Sequence, residues 1–315
     1  MGHRIRHYAP GIHYYEVVAK CCGDERLMRP DPTATGHIAL ALSAACKKHG
    51  CIRVIAFQFL STHYHLVLAV EDARDAPEIS RFLKTLNQTI ALCLNDLRGR
   101  DGHFFRGKPS VLPILDDAAV ADRMTYTHAQ SVHHGLVERT EDWPGLSSFR
   151  VVCEGKSSLD VPYFDEKAWR KSGSVPEQVE DFTTTISVPI SNPMKWDGLS
   201  PASLRAARRA HERSVRDRER DKRAERKLEG GHRALPKASS YTKTDPYSRP
   251  AGPLKRSPKP WAHGSTRAVA EYREQYARTL EVYEVASETF RATGRLGRFP
   301  TGTFAPWSWD VPTGR

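Results

Sequence analysis

Apolar residues follow two different spacings along the N-terminal half of the chain. Runs of β-branched and aromatic residues predict strands over residues 12–20, 51–60, 61–68 and 110–115. Apolar residues three and four positions apart predict helices over residues 33–49, 77–98 and 116–134. The order β-α-β-β-α-β-α predicts an α+β fold of the ferredoxin-like type, in which helices pack on one face of an antiparallel sheet.

The pattern changes after Trp143, where a basic, largely helical and partly flexible C-terminal extension is predicted. Its elements are a short strand at 184–189, a highly charged helix over 203–229, a Pro-, Ser- and Lys-rich linker over 230–264, and a last helix over 265–293 followed by an irregular tail. We therefore predict four regions: a domain over 1–154, a mixed connecting region over 155–202, a basic helix and linker over 203–264, and a C-terminal helix and tail over 265–315.

Charge is unevenly distributed along the chain. The net charge is +11, and residues 204–260 hold 18 Lys or Arg against 7 Asp or Glu, so this one segment accounts for the whole excess. Such a distribution favours a polyanion-binding arm on a near-neutral body. The alternative is a solvated charged helix, because acids are interleaved at i,i+4 spacing, as in Glu212 and Arg216.

Composition also predicts a cytoplasmic protein without membrane contact. The six cysteines show no Cys-x-x-Cys spacing, which favours reduced thiols over a disulfide framework. The first residues lack the apolar core of a signal peptide, and no run approaches the roughly 20 apolar residues that span a bilayer.

Two histidines interrupt the apolar pattern of the third predicted strand, in the stretch Ser61-Thr62-His63-Tyr64-His65-Leu66. Side chains alternate between the faces of a strand, so His63 and His65 point one way and Tyr64 points the other. Two imidazoles about 6–7 Å apart on one face can both reach a single divalent metal ion. The alternative is that they belong to the polar outer face of an amphipathic strand.

The helix predicted over 116–134 has a polar side that suits these histidines. At about 100° per residue, Tyr126 and Gln130 lie one turn apart, opposite the apolar side, with Arg123 and His133 close by. If this side faces the histidines, Gln130 completes a three-ligand metal site and Tyr126 lies beside it as a nucleophile. A surface tyrosine without a role is the alternative.

This arrangement suits attack on a phosphodiester. A phenol, with a pKa of about 10, is a poor nucleophile at neutral pH, and a metal that neutralises the phosphate and stabilises the leaving 3′-oxygen makes its attack feasible. The product is a phosphotyrosyl ester, which conserves the bond energy for rejoining. No general base is identified by the sequence.

Several segments together resemble the single-tyrosine HUH transposases, and most closely the REP-associated tyrosine transposase branch. Thr62-His63-Tyr64-His65 resembles the family's His-hydrophobic-His motif, and the stretch from Tyr126 to Val137 resembles its catalytic helix. Residues 102–108 and 143–149 resemble that branch's Gly-x-x-Trp-x-x-Arg-like and Trp-x-x-Ser-Ser-Tyr segments. The resemblance covers about residues 12–150. Thr62 stands where Asn is usual, and Gln130-Ser131 stands where the branch has Asn-Pro.

The resemblance implies a specific activity and specific partners. It implies cleavage and rejoining of single-stranded DNA ends folded as hairpins, in DNA transposition, through a 5′-phosphotyrosine on Tyr126. It implies Mg²⁺ or Mn²⁺ held by His63, His65 and Gln130. It also implies either a monomer or a homodimer that exchanges helices.

Further side chains are predicted to contact DNA. They are aromatic and basic residues of the loop at 102–108, polar residues beside Tyr126, and arginines of the charged helix: Phe105, Arg106, Lys108, Arg123, His133, Arg205, Arg208 and Arg209. Phe104 and Phe105 have core packing as their alternative. As neighbours about 100° apart on a helix, at most one of His133 and His134 is expected to join the metal site.

Two other functions remain open from the sequence. One is a non-catalytic or domesticated protein that binds hairpin DNA without cutting it. The other is a metallohydrolase that uses His63, His65 and His133 with water as its nucleophile. Tyr272 and Tyr276 imitate the paired tyrosines of two-tyrosine enzymes, but their helical spacing favours packing.

Overall fold

Four antiparallel strands form the central sheet of this computed structural model, which describes residues 5–225, 260–294 and 297–305. In the spatial order β2-β3-β1-β4, the strands are β1 (Tyr14–Lys20), β2 (Ile52–Phe59), β3 (His63–Val70) and β4 (Ser110–Ile114). The helices among and directly after them are α1 (Pro32–Lys48), α2 (Glu78–Arg98), α3 (Asp117–His128), α4 (Gln130–His133) and α5 (Phe149–Glu154). The predicted α+β class and ferredoxin-like strand order are confirmed.

The two long helices pack against each other and cover one face of the sheet. Helix α1 begins where the Asp31 carboxylate accepts a 2.8 Å bond from the Ala34 N–H, with Pro32 in the first turn. Helix α2 ends at Gly99, which adopts a left-handed φ of 57°. On this face the buried Tyr64 donates a 2.6 Å hydrogen bond to Asn87 of α2. The histidine-bearing face is therefore the opposite one.

Strand β2 contains a bulge that changes which side chains face each way. The register against β3 shifts between Val54 and Ala56, so Ile55 is the extra residue. Regular alternation along the predicted strand over 51–60 would place Ile52, Val54 and Ala56 on one face, and this prediction is wrong beyond Val54. After the bulge, Gln58 lies opposite His65 and shares its face.

Helix α3 lies on the histidine-bearing face, and the segment predicted as one helix over 116–134 forms two pieces. The break is at Ala129, where φ is −84° and ψ is 3°. A short stretch at residues 146–148 then runs along β2. Its backbone bonds are from Phe59 N to Leu146 O at 2.9 Å and from Ser148 N to Phe57 O at 3.0 Å. Buried Trp143 donates to the Phe59 carbonyl at 2.9 Å.

The region over 155–202 packs on the outer side of α1. It contains the antiparallel hairpin of β5 (Ser158–Phe164) and β6 (Thr183–Pro189), with helix α6 (Glu166–Lys171) between them. Gly36 permits this close approach, because a Cβ at that position would lie 3.0 Å from the Pro162 carbonyl oxygen. The Ser43 hydroxyl donates a 2.8 Å bond to the Ser187 carbonyl.

The charged helix α7 (Pro201–Glu225) is docked along α3, α4 and α5. Its inward side buries His211, Val215 and Glu219, and the Glu219 carboxylate accepts a 2.7 Å bond from the Thr140 N–H. A free solvated helix was one interpretation of this segment, and the described contacts do not fit it. The predicted linker over 230–264 lies outside the described residues except for 260–264.

The described chain resumes beside β4 and continues into helix α8 (Thr266–Thr293). His263 forms a parallel bridge with Ile114, through bonds from its N–H to Pro113 O at 2.9 Å and from Leu115 N to its carbonyl at 2.8 Å. Tyr272 and Tyr276 of α8 pack against Ala9, as their spacing predicts. Trp307 and Trp309 of the predicted tail lie outside the described residues.

Neither membrane helices nor disulfides are found in the described ranges. None of the described helices has the length and hydropathy that a bilayer crossing requires. All six cysteines are unpaired.

Candidate active site

His63 and His65 begin strand β3 and point to the face on which α3 lies. Their ring centroids are 5.2 Å apart, within reach of one cation. The Nδ1 atom of His63 is 2.9 Å from the Thr62 hydroxyl. Burial, and secondly the neighbouring His65, lowers the pKa of His63 well below its usual value. The His63 imidazole is therefore neutral at pH 7, as a metal ligand must be.

Glu16 on β1 is a buried carboxylate directly beside this pair. Val18 lies opposite His65 in the sheet, so Glu16 is on the same face, one pleat away. Its Oε1 is 3.5 Å from Nδ1 of His65, and its Oε2 is 2.6 Å from Nε2 of His263. Burial would raise the pKa of the carboxyl, but His263 and His65 outweigh it and lower the pKa to about 2.

This carboxylate has a chemical consequence for His65. An ionised carboxylate next to Nδ1 favours the tautomer that carries its proton there, which leaves the lone pair on Nε2 for a ligand. Carboxylates in this outer position commonly orient metal-binding histidines and increase their basicity. Glu16 therefore suits the role of a residue that positions His65.

Tyr126 on α3 faces the histidines of its own chain. Its ring centroid is 5.6 Å from that of His65, in an edge-to-face arrangement, and the side chain is half-buried. Two guanidinium groups lie against its ring, Arg123 at 4.4 Å and Arg218 of α7 at 5.7 Å from the centroid. The tyrosine is thus held among cationic and imidazole groups without being sealed from solvent.

Gln130 lies one turn beyond Tyr126, at the start of α4. Its Nε2 donates a 3.2 Å bond to the Tyr126 carbonyl, and its buried Oε1 has no hydrogen-bond partner among the described residues. Gln58 of β2 holds the start of α4, because its amide nitrogen donates to the Ser131 hydroxyl at 3.0 Å and its amide oxygen accepts from the Ser131 N–H at 3.3 Å. The observed bond of Gln130 is to the backbone of α3, whereas the rings of His63, His65 and Tyr126 contact one another directly.

Both His133 and His134 join this cluster. The His134 ring centroid is 5.1 Å from that of His63, and the His133 centroid is 6.1 Å from that of Tyr126. Helix α4 ends at His133 and the chain turns at Gly135, where φ is 68°. The expectation that at most one of the two joins the metal site stays a prediction, because the ring contacts of His133 are with Tyr126 and His134.

The donor set fits a divalent ion that accepts nitrogen and oxygen ligands. The available donors are Nε2 of His63, Nε2 of His65 and Oε1 of Gln130, whose buried and unpartnered oxygen is otherwise unexplained. In the described part of the chain, no three His, Cys, Asp or Glu side chains are grouped to hold a metal. A three-ligand site built on His63 and His65 would therefore take the Gln130 amide as its third ligand.

The loop predicted to contact DNA lies away from this cluster. Phe104 is buried in the core, and Phe105 packs its ring 5.9 Å from that of Tyr64, which points to the face of α2. Arg106 and Lys108 are exposed. Both phenylalanines therefore pack in the core, which was the alternative to DNA contact. The two basic side chains are accessible to solvent.

The three arginines predicted on α7 have different surroundings. Arg205 and Arg209 are exposed and form no ion pair with a described residue. Arg208 instead lies over the end of α5, so close that a Cβ on Gly155 would be 2.2 Å from its Nη1. Arg208 is therefore directed into the fold.

Three residues of this site were missed in the sequence. Glu16 carried a signal, because a charged residue within the apolar strand at 12–20 is unusual unless it has a buried partner. Arg218 and His263 carried none, because they come from segments far from the histidines in sequence.

Two solved structures are similar to this chain. One is a REP-associated tyrosine transposase bound to a REP hairpin, with a TM-score of 0.41 and 18% sequence identity, covering 49% of this chain and 87% of that one. The other is a candidate transposase from Deinococcus radiodurans R1, with a TM-score of 0.27 and 16% identity, covering 36% of this chain and 86% of that one. No protein-family model and no curated protein sequence matches the chain.

Proposed function

We propose that this protein cleaves and rejoins single-stranded DNA through a covalent bond to Tyr126, as a transposase does. The observation that carries the proposal is the contact between the Tyr126 ring and the His65 ring, at 5.6 Å. A half-buried tyrosine beside two imidazoles suits a nucleophile that DNA can reach better than a packing role. The sequence motifs around both residues support the same chemistry.

The proposed reaction is an exchange of phosphoesters. The Tyr126 oxygen attacks the phosphorus, the new Tyr–O–P bond forms, and the bond from phosphorus to the 3′-oxygen breaks. The phenol loses its proton and the released 3′-oxygen gains one. The step is therefore balanced in charge, and it needs no oxidant. A 3′-hydroxyl of a second strand can reverse the step and join the DNA.

His63, His65 and Gln130 are the residues proposed to hold Mg²⁺ or Mn²⁺. The ion would neutralise charge on the phosphate and on the leaving oxygen. Two residues of the chain would orient this set. Glu16 lies 3.5 Å from Nδ1 of His65 and favours a proton there, and Gln58 holds the start of α4, which carries Gln130. Tyr126 reaches the histidines of its own chain, so a helix exchanged with a second copy is not required.

The proposed substrate is a single-stranded DNA end that folds as a hairpin, following the sequence motifs. Exposed arginines of α7, Arg205 and Arg209, supply charge for the phosphate backbone. A second candidate function is hairpin binding without cleavage, which the same exposed arginines would serve. The metallohydrolase with His63, His65 and His133 is disfavoured, because His133 contacts the Tyr126 ring and, among the described residues, no three histidines are placed to hold a metal.

Adduct formation tests the proposal. Protein is incubated with labelled single-stranded DNA and Mg²⁺ or Mn²⁺, denatured and separated by electrophoresis. Wild-type protein should form a covalent adduct and Tyr126→Phe should form none while still binding DNA. Tyr272→Phe is the matched control and should form adducts normally. Binding without any adduct in the wild type would favour the non-catalytic function.

A further inference from the structure

Arg218 of α7 lies at the nucleophile although it comes from outside the region that resembles the transposases. Its guanidinium is 5.7 Å from the Tyr126 centroid, on a ring that Arg123 also contacts at 4.4 Å. One carboxylate connects the two arginines. Asp122 accepts a 2.7 Å bond from Nη2 of Arg218 and a 2.9 Å bond from Nε of Arg123.

The position of Arg218 is set by the way α7 is docked. His211, Val215 and Arg218 follow one another at helical spacing on the inward side, and His211 and Val215 are buried. Arg216 forms an ion pair with Glu141, which fixes the same half of the helix. Arg218 is therefore directed toward α3, whereas Arg205 and Arg209 are directed to solvent.

Two guanidinium groups and two carboxylates lie around Tyr126. Arg123 and Arg218 both pair with Asp122, and Arg123 also lies 3.8 Å from the Glu16 carboxylate. The Nη1 atom of Arg218 is buried and has no hydrogen-bond partner among the described residues. Buried donors are normally paired, so an unpaired one next to a nucleophile indicates a missing acceptor.

We infer that Arg218, together with Arg123, binds the phosphodiester that Tyr126 attacks, so that α7 is part of the active site. The inference rests on the proposed function and names the substrate contact within it. A guanidinium presents planar, paired donors that match phosphate oxygens. Arg218 Nη1 would donate to a non-bridging oxygen while Nη2 keeps its bond to Asp122.

A purely structural role must be separated from phosphate binding, because Arg218 also joins α7 to α3. The test variant is Arg218→Gln, and Arg218→Lys keeps the charge and the link to Asp122. The control is Arg170→Gln, which removes an exposed helical arginine in an ion pair with Glu166 at 2.6 Å. Circular dichroism melting establishes that each variant is folded.

The first measurement is the rate of adduct formation at saturating single-stranded DNA. Loss of one donor aimed at developing charge commonly slows a reaction by about 100-fold, and we expect this for Arg218→Gln. Arg218→Lys should fall between Arg218→Gln and the wild type, and Arg170→Gln should match the wild type within about twofold. Equal rates for folded Arg218→Gln and Arg170→Gln would overturn the inference.

The second measurement does not depend on catalysis. Inorganic phosphate is titrated into protein carrying ¹³C-labelled tyrosine rings, and the Tyr126 signal is assigned with Tyr126→Phe. Phosphate should shift this signal in the wild type and Arg170→Gln but not in Arg218→Gln. The same shift in Arg218→Gln, or none in the wild type, would overturn the inference. A shift that depends on Arg218 without any adduct would instead retain the phosphate site and refute the proposed cleavage.

Discussion

The Glu16 carboxylate lies 3.5 Å from Nδ1 of His65, across two paired strands of the sheet. In the proposed metal site, this contact would favour the His65 tautomer that carries its proton on Nδ1 and keeps its lone pair on Nε2. His263 lies 2.6 Å from the other oxygen of Glu16, which links the C-terminal extension to the same site.

Replacing Glu16 by Gln should weaken metal binding by the free protein. The neutral amide no longer favours a proton on Nδ1 of His65, and outer-shell changes of this kind typically cost about 10–100-fold in affinity. Titration of Mn²⁺ followed by electron paramagnetic resonance measures the dissociation constant. Glu71→Gln, an exposed carboxylate next to Arg53, is the control. Equal affinities for the two variants would remove Glu16 from its proposed role.

Replacing Asp116 by Ala should detach the start of α8 from the sheet. The Asp116 carboxylate accepts bonds from Ala119 N at 2.8 Å and from Ser265 N at 2.6 Å, so it serves two helices. We expect a loss of about 1–2 kcal/mol in unfolding free energy, and faster amide exchange at Ser265. The control is Asp165→Ala, which removes a carboxylate that caps α6 alone. In this variant, amide exchange at Ser265 should be unchanged. Unchanged amide exchange at Ser265 in Asp116→Ala would contradict the proposal that this carboxylate caps both α3 and α8.

Stability should fall on mild acidification, partly through His211. This side chain is buried and its Nε2 is 2.8 Å from Nδ1 of His128. Burial lowers the pKa of His211 to about 4 from its usual 6.5. Between these values the unfolded state binds more protons, so stability falls as the pH decreases from 6.5 toward 4, by at most about 3 kcal/mol.

Urea unfolding at pH 7 and pH 5 measures this effect. The loss between the two pH values should be smaller in His211→Gln than in the wild type. His103→Gln, which replaces an exposed histidine, should behave as the wild type does. An equal loss in all three proteins would show that His211 does not take up the proton.

The arginines of α7 should separate into two classes by salt dependence. Arg205 and Arg209 are exposed, so replacing each by Gln should reduce the slope of log affinity for single-stranded DNA against log salt by about 0.7. Arg208 is directed into the fold, so Arg208→Gln should leave the slope unchanged and lower the melting temperature. Fluorescence anisotropy at several salt concentrations measures the slopes. Identical slopes for all three variants would refute this division.

The order and approximate bounds of the main elements were predictable because their apolar spacing is strong. The first predicted helix, for example, differs from Pro32–Lys48 by one residue at each end. The bulge at Ile55 was not predictable, since residues 54–57 are all apolar and nothing in the sequence marks one of them as the extra residue. The break at Ala129 was not predictable either, because alanine has the highest helix propensity and so does not indicate the end of a helix.

The candidate site was predictable only where its residues are close in sequence. His63 and His65 are two positions apart, and Tyr126 and Gln130 are one helical turn apart, so local periodicity assigns each pair a face. Arg218 reaches Tyr126 only because α7 docks on α3, and His263 reaches Glu16 only because the chain returns beside β4. Such contacts depend on long-range packing, which spacing along the chain does not encode.

The central claim, that Tyr126 becomes bonded to DNA, is tested most directly by mass spectrometry of the adduct. Wild-type protein is reacted with a short single-stranded oligonucleotide, digested with protease and nuclease, and its peptides are sequenced. We expect one modified peptide, which carries a nucleotide phosphate on the Tyr126 oxygen. A modified peptide from any other residue, or DNA cleaved to free ends with no modified peptide, would contradict it.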